Sequence, residues 1–441
     1  MAWQVFARRF PVLAIRDFRL LLADRLLAPA AFAFSLVGVS FAVLDITGST
    51  ADLSYVLAAQ IAPSLIFALV GGVVADRVAP QRVIIAANVM IAAGEGTFGI
   101  LVLTTRPHVL LMILLEMVTG SGMAVFYPAS AALLPRLVPG DLLQEASAMS
   151  RLAMNTAQMA GAAVAGLFVA AAGPGWALAT CGVGMLGSVP LLLAIRSGGN
   201  ERRHGSSMLR EIRDGWSEFR SHTWLWVIVA QYGVLLAAWY GSFEVLGPVV
   251  ARTDLGGPAA WGAITAAESV GLIGGGLASL RFSPRRPMLF VVLIGAAMAV
   301  SPLSLGMLWP LPLVCLAAFL LGITLEITMV QWTVALARNI PRAKLARVTS
   351  YDALGSVIAM PVGALVAGPV AGAVGVPATD YGAAAVIIVA SALALIPREV
   401  RTIRATGAVS VHDGPQPPDP GPEVVLPGSG EPFVRPAGRP K

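Results

Sequence analysis

Uncharged apolar runs of about twenty residues alternate along this chain with short polar breaks, a length that matches the hydrocarbon core of a bilayer at about 1.5 Å per helical residue. Such runs cover 26–44, 53–75, 176–195 and 353–379, and others carry one acid or base each. Together they predict twelve spans. The first six are expected at about 20–44, 53–75, 83–105, 109–134, 146–172 and up to Arg196. Of the second six, the seventh contains Glu244, the eighth Glu268 and the tenth Glu326, the ninth covers 288–308, the eleventh follows Asp352, and the twelfth covers 381–397. Arg8, Arg9, Arg16, Asp17 and Arg19 precede the first span, and Asp24 and Arg25 fall at its mouth. With no small-residue cleavage site there, this span reads as a retained helix rather than a signal peptide.

The pattern occurs twice. The segment GGVVADRVAPQR at 71–82 returns at 275–286 as GGLASLRFSPRR, with five of twelve positions identical. In each copy an apolar run ends in a glycine pair, a turn with proline and basic residues follows, and a new apolar run begins. A spacing near half the chain argues for two homologous bundles. A weaker echo pairs Pro139, Leu143 and Leu152 with Pro341, Leu345 and Leu354.

Composition agrees with the pattern. At 57% hydrophobic and 12% charged over 441 residues, a water-soluble chain would lack the polar surface to cover itself. Lys and Arg in short loops stay on the cytoplasmic side, and with the N-terminus inside, Arg106 and Arg252 are the basic residues left in outward loops. The net charge of +6 is thereby a topology signal and not a nucleic-acid footprint. The expected location is the inner or plasma membrane with both termini cytoplasmic. Cys181 and Cys315 lie in apolar spans, and His108, His204, His222 and His412 are scattered, so neither a disulfide framework nor a metal site is implied. No Gly-Lys-Ser/Thr phosphate loop is present, which argues against ATP as energy source, and no other cofactor is called for.

Four regions follow: a first bundle at 1–195, a linker at 196–223, a second bundle at 224–397 and a tail at 398–441. In the linker Leu209, Ile212, Trp216 and Phe219 recur at helical spacing, as in a helix lying on the membrane surface. The tail is rich in proline and glycine and is expected to be disordered.

Gly72, Asp76, Arg77 and Arg82 spell G-x-x-x-D-R-x-x-x-x-R at the turn after the second span. With twelve spans and a central loop, the chain resembles the major facilitator superfamily. LDITGS at 44–49, FYPAS at 126–130, LPRLVP at 134–139 and GPGWAL at 173–178 are similar to a bacterial exporter subgroup that includes enterobactin-type siderophore exporters and macrolide-efflux-like proteins. The resemblance covers roughly 16–404. It implies an all-α multi-pass membrane protein, with twelve transmembrane helices in two pseudo-symmetric six-helix bundles, that works by alternating access as a proton-driven efflux antiporter. The chain departs from the superfamily pattern at Ala79 and Gln81, carries Glu116 where relatives have arginine and Ala162 where antiporters have proline, and has Phe32 where subgroup members have aspartate.

The four motif residues are candidates for a gate that latches the halves together in one state; the alternative is a basic turn that fixes topology. Glu95, Glu116, Glu244, Glu268 and Glu326 lie inside apolar spans, where a charge at the centre costs about 2.5–3.5 kcal/mol on insertion scales. A carboxyl in a partly wet cavity can exchange a proton near neutral pH, so these five are proton-coupling candidates, with Glu268 and Glu326 first by depth. Others of the five can instead sit in packing hydrogen bonds. Arg151, Asn155 and Gln158 share a helix face. Asn155, Gln231, Tyr232, Gln331 and Trp332 are candidates to line a cavity; Trp and Tyr near span ends also serve as interface anchors. The expected function is export of small amphipathic molecules, multidrug or secondary-metabolite, by a transporter and not an enzyme. A dedicated siderophore or metabolite exporter is the runner-up, and a non-transporting receptor or membrane enzyme the rival from another class. Expected partners are a small-molecule substrate, protons and lipid, with no nucleic acid and the chain a monomer.

Overall fold

The computed structural model describes residues 11–75, 78–196, 220–282, 284–340 and 342–403, with the side chains of 65–75, 127, 342–347, 349–354 and 356–357 outside the description. All regular structure among the described residues is helical. The first six long helices are α1 (Arg16–Thr47), α2 (Thr50–Ala75), α3 (Pro80–Thr104), α4 (Val109–Leu137), α5 (Leu143–Ala172) and α6 (Pro174–Leu193). The second six are α7 (Thr223–Asp254), α8 (Pro258–Ser279), α9 (Pro287–Gly306), α10 (Leu311–Asn339), α11 (Arg342–Val374) and α12 (Val376–Ala394). By length and composition nine of these twelve can cross a membrane among the described residues. The remaining α2, α8 and α11 have 26, 22 and 33 residues, enough at about 1.5 Å each to span it as well. Twelve expected spans are compatible with this set.

Proline at the first or second position starts α3, α6, α8, α9, α10 and α12, where its missing N–H costs nothing. Two helices change pitch within the bundle. In α7 the stretch Tyr240–Leu246 is π-helical, and in α9 Ala297–Ala299 tightens to a 3₁₀ turn. The short turns make neighbouring helices antiparallel, so the bundle has a proximal end, where α1 begins, and a distal end, where α1 finishes.

Four boundaries differ from expectation, for identifiable reasons. Helix α11 starts at Arg342, eleven residues before Ala353 opens the uncharged run, because a helix continues past its apolar span where hydropathy cannot see it. The uncharged run 353–379 is not one element: Gly375, with φ of 88°, turns the chain and Pro377 starts α12. That moves α12 five residues towards the N-terminus and puts Asp380 inside it. At the other side, Arg398–Thr402 forms a short helix, α13, where a disordered tail was expected. There Glu399 accepts a hydrogen bond from the Trp224 backbone N–H at 3.1 Å, and Val400 is fully buried. The expected surface helix of the linker and the tail beyond 403 lie outside the described residues.

The first six helices pack on one another, as do the second six, and α5 lies along α8 and α2 along α11. Three contacts join the two sets within two turns of the distal end. At the first, a Cβ on Gly166 would stand 2.6 Å from the Gly262 Cα, and one on Gly262 would stand 2.7 Å from the Gly166 Cα. Only glycine at both positions lets α5 and α8 touch backbone to backbone. At the second, the Gly368 N–H donates to Ser54 Oγ at 2.6 Å, joining α11 to α2. At the third, Arg252 on α7 pairs with Asp45 on α1 at 3.0 Å and donates to the Leu44 carbonyl.

Overpacking a close contact costs about 1–3 kcal/mol, a shift of about 5- to 150-fold in a two-state equilibrium. Gly166→Val is therefore expected to open the distal end. The check is labelling of Val169→Cys, 3% exposed in the closed state, by a water-soluble maleimide in a background lacking Cys181 and Cys315. Labelling is expected to rise several-fold; an unchanged rate would mean that the glycine contact does not hold this end shut.

Candidate functional site

The interior between the two sets is apolar towards the distal end and polar below it. Phe34 on α1 meets Phe168 on α5 edge-on at 5.5 Å; on α7 Trp239 stacks on Phe243 at 6.2 Å, and Phe243 meets Trp261 of α8 in a tilted contact at 5.0 Å. These rings belong to one cluster with Val37, Val169 and Leu321. The Trp239 indole N–H is buried in it without a hydrogen-bond partner. On the distal side of the cluster a cavity of about 550 Å³ opens against Phe41, Asp45, Val169, Arg252 and Pro258.

The five interior glutamates fall into different environments. Glu95 and Glu116 are fully buried, whereas Glu244, Glu268 and Glu326 are half-buried. Depth along a span therefore does not rank them by burial: Glu268 and Glu326, first by depth, are less enclosed than Glu95 and Glu116. Glu95 accepts a hydrogen bond from Ser35 Oγ on α1 at 2.7 Å, and Glu116 one from Gln60 Nε2 on α2 at 2.7 Å. Glycine makes both meetings possible. A Cβ on Gly120 would strike the Gln60 carbonyl, so glycine lets α2 close on α4 one turn from Glu116. A Cβ on Gly94 would lie 3.0 Å from the Leu115 carbonyl, so glycine there likewise seats Glu95 against α4.

Glu244 sits in the π-helical segment of α7 and lies within electrostatic reach of Glu268 on α8. Two residues earlier, Ser242 Oγ donates to Asp380 Oδ1 on α12 at 2.6 Å; Asp380 is fully buried and its other oxygen has no partner. A π-helical turn re-aims successive side chains, so Ser242 and Glu244 leave the register of a regular helix. Glu326 pairs with Arg151 of α5 at 3.6 Å, a contact between the two sets deeper than the distal three.

The remaining candidates are placed as follows. Gln231 is buried and donates to Ser391 Oγ on α12 at 3.1 Å, and Gln331 is buried and donates to the Phe282 carbonyl at 3.2 Å. Trp332 packs edge-on against Trp224 at 5.8 Å in a cluster with Met288 and Val400. These three are engaged in packing within the second set. Asn155 and Tyr232 are half-buried. In the gate segment, Gly72 lies in α2 and Arg82 is exposed at the start of α3, while Asp76 and Arg77 lie outside the described residues.

Asp24 and Arg25 are not at a mouth but inside the first set, 1% and 6% exposed. Arg25 donates to the Ser130 carbonyl at 3.1 Å, contacts Met154 Sδ at 3.6 Å and lies over the Phe126 ring at 6.0 Å. Asp24 faces Ser188, which also accepts from Asn88 Nδ2 at 2.6 Å. The charged pair inside an otherwise apolar run was the signal that could have found this site.

Two bundles of helices joined at one end around an interior of acids and aromatic rings define a multi-pass membrane transporter with the major facilitator fold. A family model of transmembrane secretion effectors matches residues 8–423, and the chain belongs to that family. It is 27% identical over 352 residues to the enterobactin exporter EntS of Escherichia coli O1:K1 / APEC, covering 77% of this chain and 81% of that one. In fold it is similar to the nucleoside transporter NupG, with a TM-score of 0.73 and 12% identity over 88% of this chain and 100% of the other. It is also similar to a D-xylose-proton symporter, with a TM-score of 0.64 and 13% identity over 88% and 97% of the two chains. These relatives transport solutes, and the chain is a transporter rather than an enzyme.

Removing the donor to a buried carboxyl leaves the full desolvation cost, about 1–3 kcal/mol. Ser242→Ala is thus expected to lower the thermal unfolding midpoint in detergent, and Asp380→Asn, whose amide oxygen still accepts from Ser242, to lower it less. Equal midpoints for Ser242→Ala and the parent would show that this bond contributes nothing to the packing of α7 on α12.

Proposed function

We propose that this protein exports small amphipathic molecules by alternating access, with proton entry as the driving force. The distal closure carries the reading: the two sets are held together at the distal end by three separable contacts, with the Arg151–Glu326 pair below them, the arrangement expected of a carrier caught with one gate shut. The distal end is taken as the outer face. Arg106 and Arg252 lie there, whereas Arg16, Arg19, Arg82, Arg136, Arg196, Arg281, Arg286 and Arg338 lie at or near the proximal end, as the positive-inside bias of an inner membrane requires. The bundles at 1–195 and 224–397 are the two moving bodies, and the segment at Gly72, Asp76, Arg77 and Arg82 is the proximal latch.

The chemistry of the interior suits an amphipathic solute. Phe34, Phe168 and Trp239 offer apolar area and rigid rings, and Arg151, Asn155 and Glu326 offer polar anchors below them. The proton carrier is among the five interior glutamates. A dedicated siderophore exporter is the second reading, favoured by the similarity to an enterobactin exporter over most of both chains.

Purified protein in liposomes with an enclosed pH-sensitive dye tests this directly, with enterobactin and ethidium as probe solutes. An imposed pH gradient is expected to drive uphill movement of a probe together with opposite proton movement. Transport of enterobactin alone would select the dedicated exporter. Probe movement without any proton movement would leave a uniporter and contradict the coupling.

A further inference from the structure

We propose that Glu95 and Glu116 form one proton-binding unit, a carboxyl pair within the first set of helices that holds a single proton between them. This rests on the proton-coupled reading above and names the site within it. Both residues are 0% exposed. They come from α3 and α4, which pack closely at Gly94, and they lie within electrostatic reach of one another. Two negative charges in such an enclosure repel, and neither can be solvated by water.

The surroundings supply too few donors for two carboxylates. An ionised pair can accept about eight hydrogen bonds through four oxygens. The structure gives one to Glu95, from Ser35, and one to Glu116, from Gln60. Glu95 Oε2 and Glu116 Oε1 are buried without a partner. The Thr119 hydroxyl, also 0% exposed and one turn beyond Glu116, lies beside Glu95 and has no hydrogen-bond partner. Three buried polar atoms on these neighbouring residues are thus left without a partner. One proton resolves the shortage: taken from the aqueous phase, it changes the pair from two carboxylates to one acid and one carboxylate, and the new O–H donates to an oxygen that otherwise accepts nothing.

The groups facing the pair add no positive charge. From α6 comes Cys181, fully buried and within reach of both carboxyls. From α7 comes Tyr240, within electrostatic reach of both Glu116 and Glu244. Helices α1 and α2 contribute the neutral Ser35 and Gln60. No described ion pair involves either glutamate. By contrast Glu326 has an ion-pair partner in Arg151 at 3.6 Å. Tyr240 and Glu244 carry the line of acids from the first set toward the second, so the charge of the pair can be felt by the helix that also bears the distal ion pair.

Infrared difference spectroscopy of the purified protein, titrated between acid and alkaline pH, reads the proton itself. The parent is expected to show a protonated-carboxyl band that is lost in Glu116→Gln and in Glu95→Gln, because either change leaves a lone carboxylate with an amide donor beside it. Ser35→Ala and Gln60→Leu, which keep both acids, are expected to shift the band, and they serve where a Gln variant fails to fold. A band that stays in place in all four variants would overturn the pair. So would displacement of the band by sodium at constant pH, which would make this an alkali-cation site. In liposomes, Glu116→Gln is expected to retain counterflow exchange of ethidium and lose pH-driven accumulation. If the band behaves as stated but the parent moves no protons with its solute, the pair stands and the proton-coupled reading fails.

Discussion

Backbone contact between Gly166 and Gly262 is the constraint on which the closed distal end depends. Within a bilayer apolar side chains gain nothing by leaving lipid for protein, so helices associate through close packing and a few hydrogen bonds. The exposed pair Arg252–Asp45 contributes only about 0–1 kcal/mol, too little to hold two bundles by itself. The glycine contact and the Gly368–Ser54 bond fix the distance, and the ion pair then sits where the bundles already meet. A closure of this kind is steric and reversible. It can be shut by contact and released without breaking a strong bond, which is what a carrier cycling between two states needs.

The same device organises the charges inside. Gly120 brings α2 onto α4 and delivers Gln60 to Glu116, and Gly94 brings α3 onto α4 and delivers Glu95 to the same place. In the second set a serine on the first helix, Ser242 of α7, reaches the buried Asp380 of α12, much as Ser35 of α1 reaches Glu95 in the first. The duplicated chain therefore keeps a common habit, a hydroxyl on the leading helix of each set meeting a buried acid, while the acids themselves lie on different helices. The π-helical segment of α7 breaks the parallel further by re-aiming Ser242 and Glu244 together.

The membrane spans were legible because their signal is local: twenty apolar residues and a polar break are visible without knowing what packs where. The repeat at 71–82 and 275–286 was legible for the same reason. Boundaries failed where polarity and helicity part company, as at Arg342, where a helix continues through charged sequence. One boundary error concealed a residue. With the run 353–379 taken as a single span, Asp380 fell in a loop, and only the positive φ of Gly375 shows it to be one turn inside α12. Asp24 and Arg25 were misplaced because nearness to a span's end says nothing of what covers them. The interior glutamates were found as residues, but their partners Ser35, Gln60 and Arg151 come from 60, 56 and 175 positions away in sequence, and no periodicity announces such meetings.

Alternation about the distal closure is the central claim, and two distances measured together test it most directly. Spin labels at Thr105 and Met307 report on the distal end, and labels at Arg136 and Arg338 on the proximal end, all four positions being exposed. Pulsed dipolar spectroscopy of both pairs in lipid nanodiscs, at neutral and acidic pH, should show the distal distance lengthening as the proximal distance shortens. A distal distance that stays fixed at every pH, or two distances that lengthen together, would contradict the account.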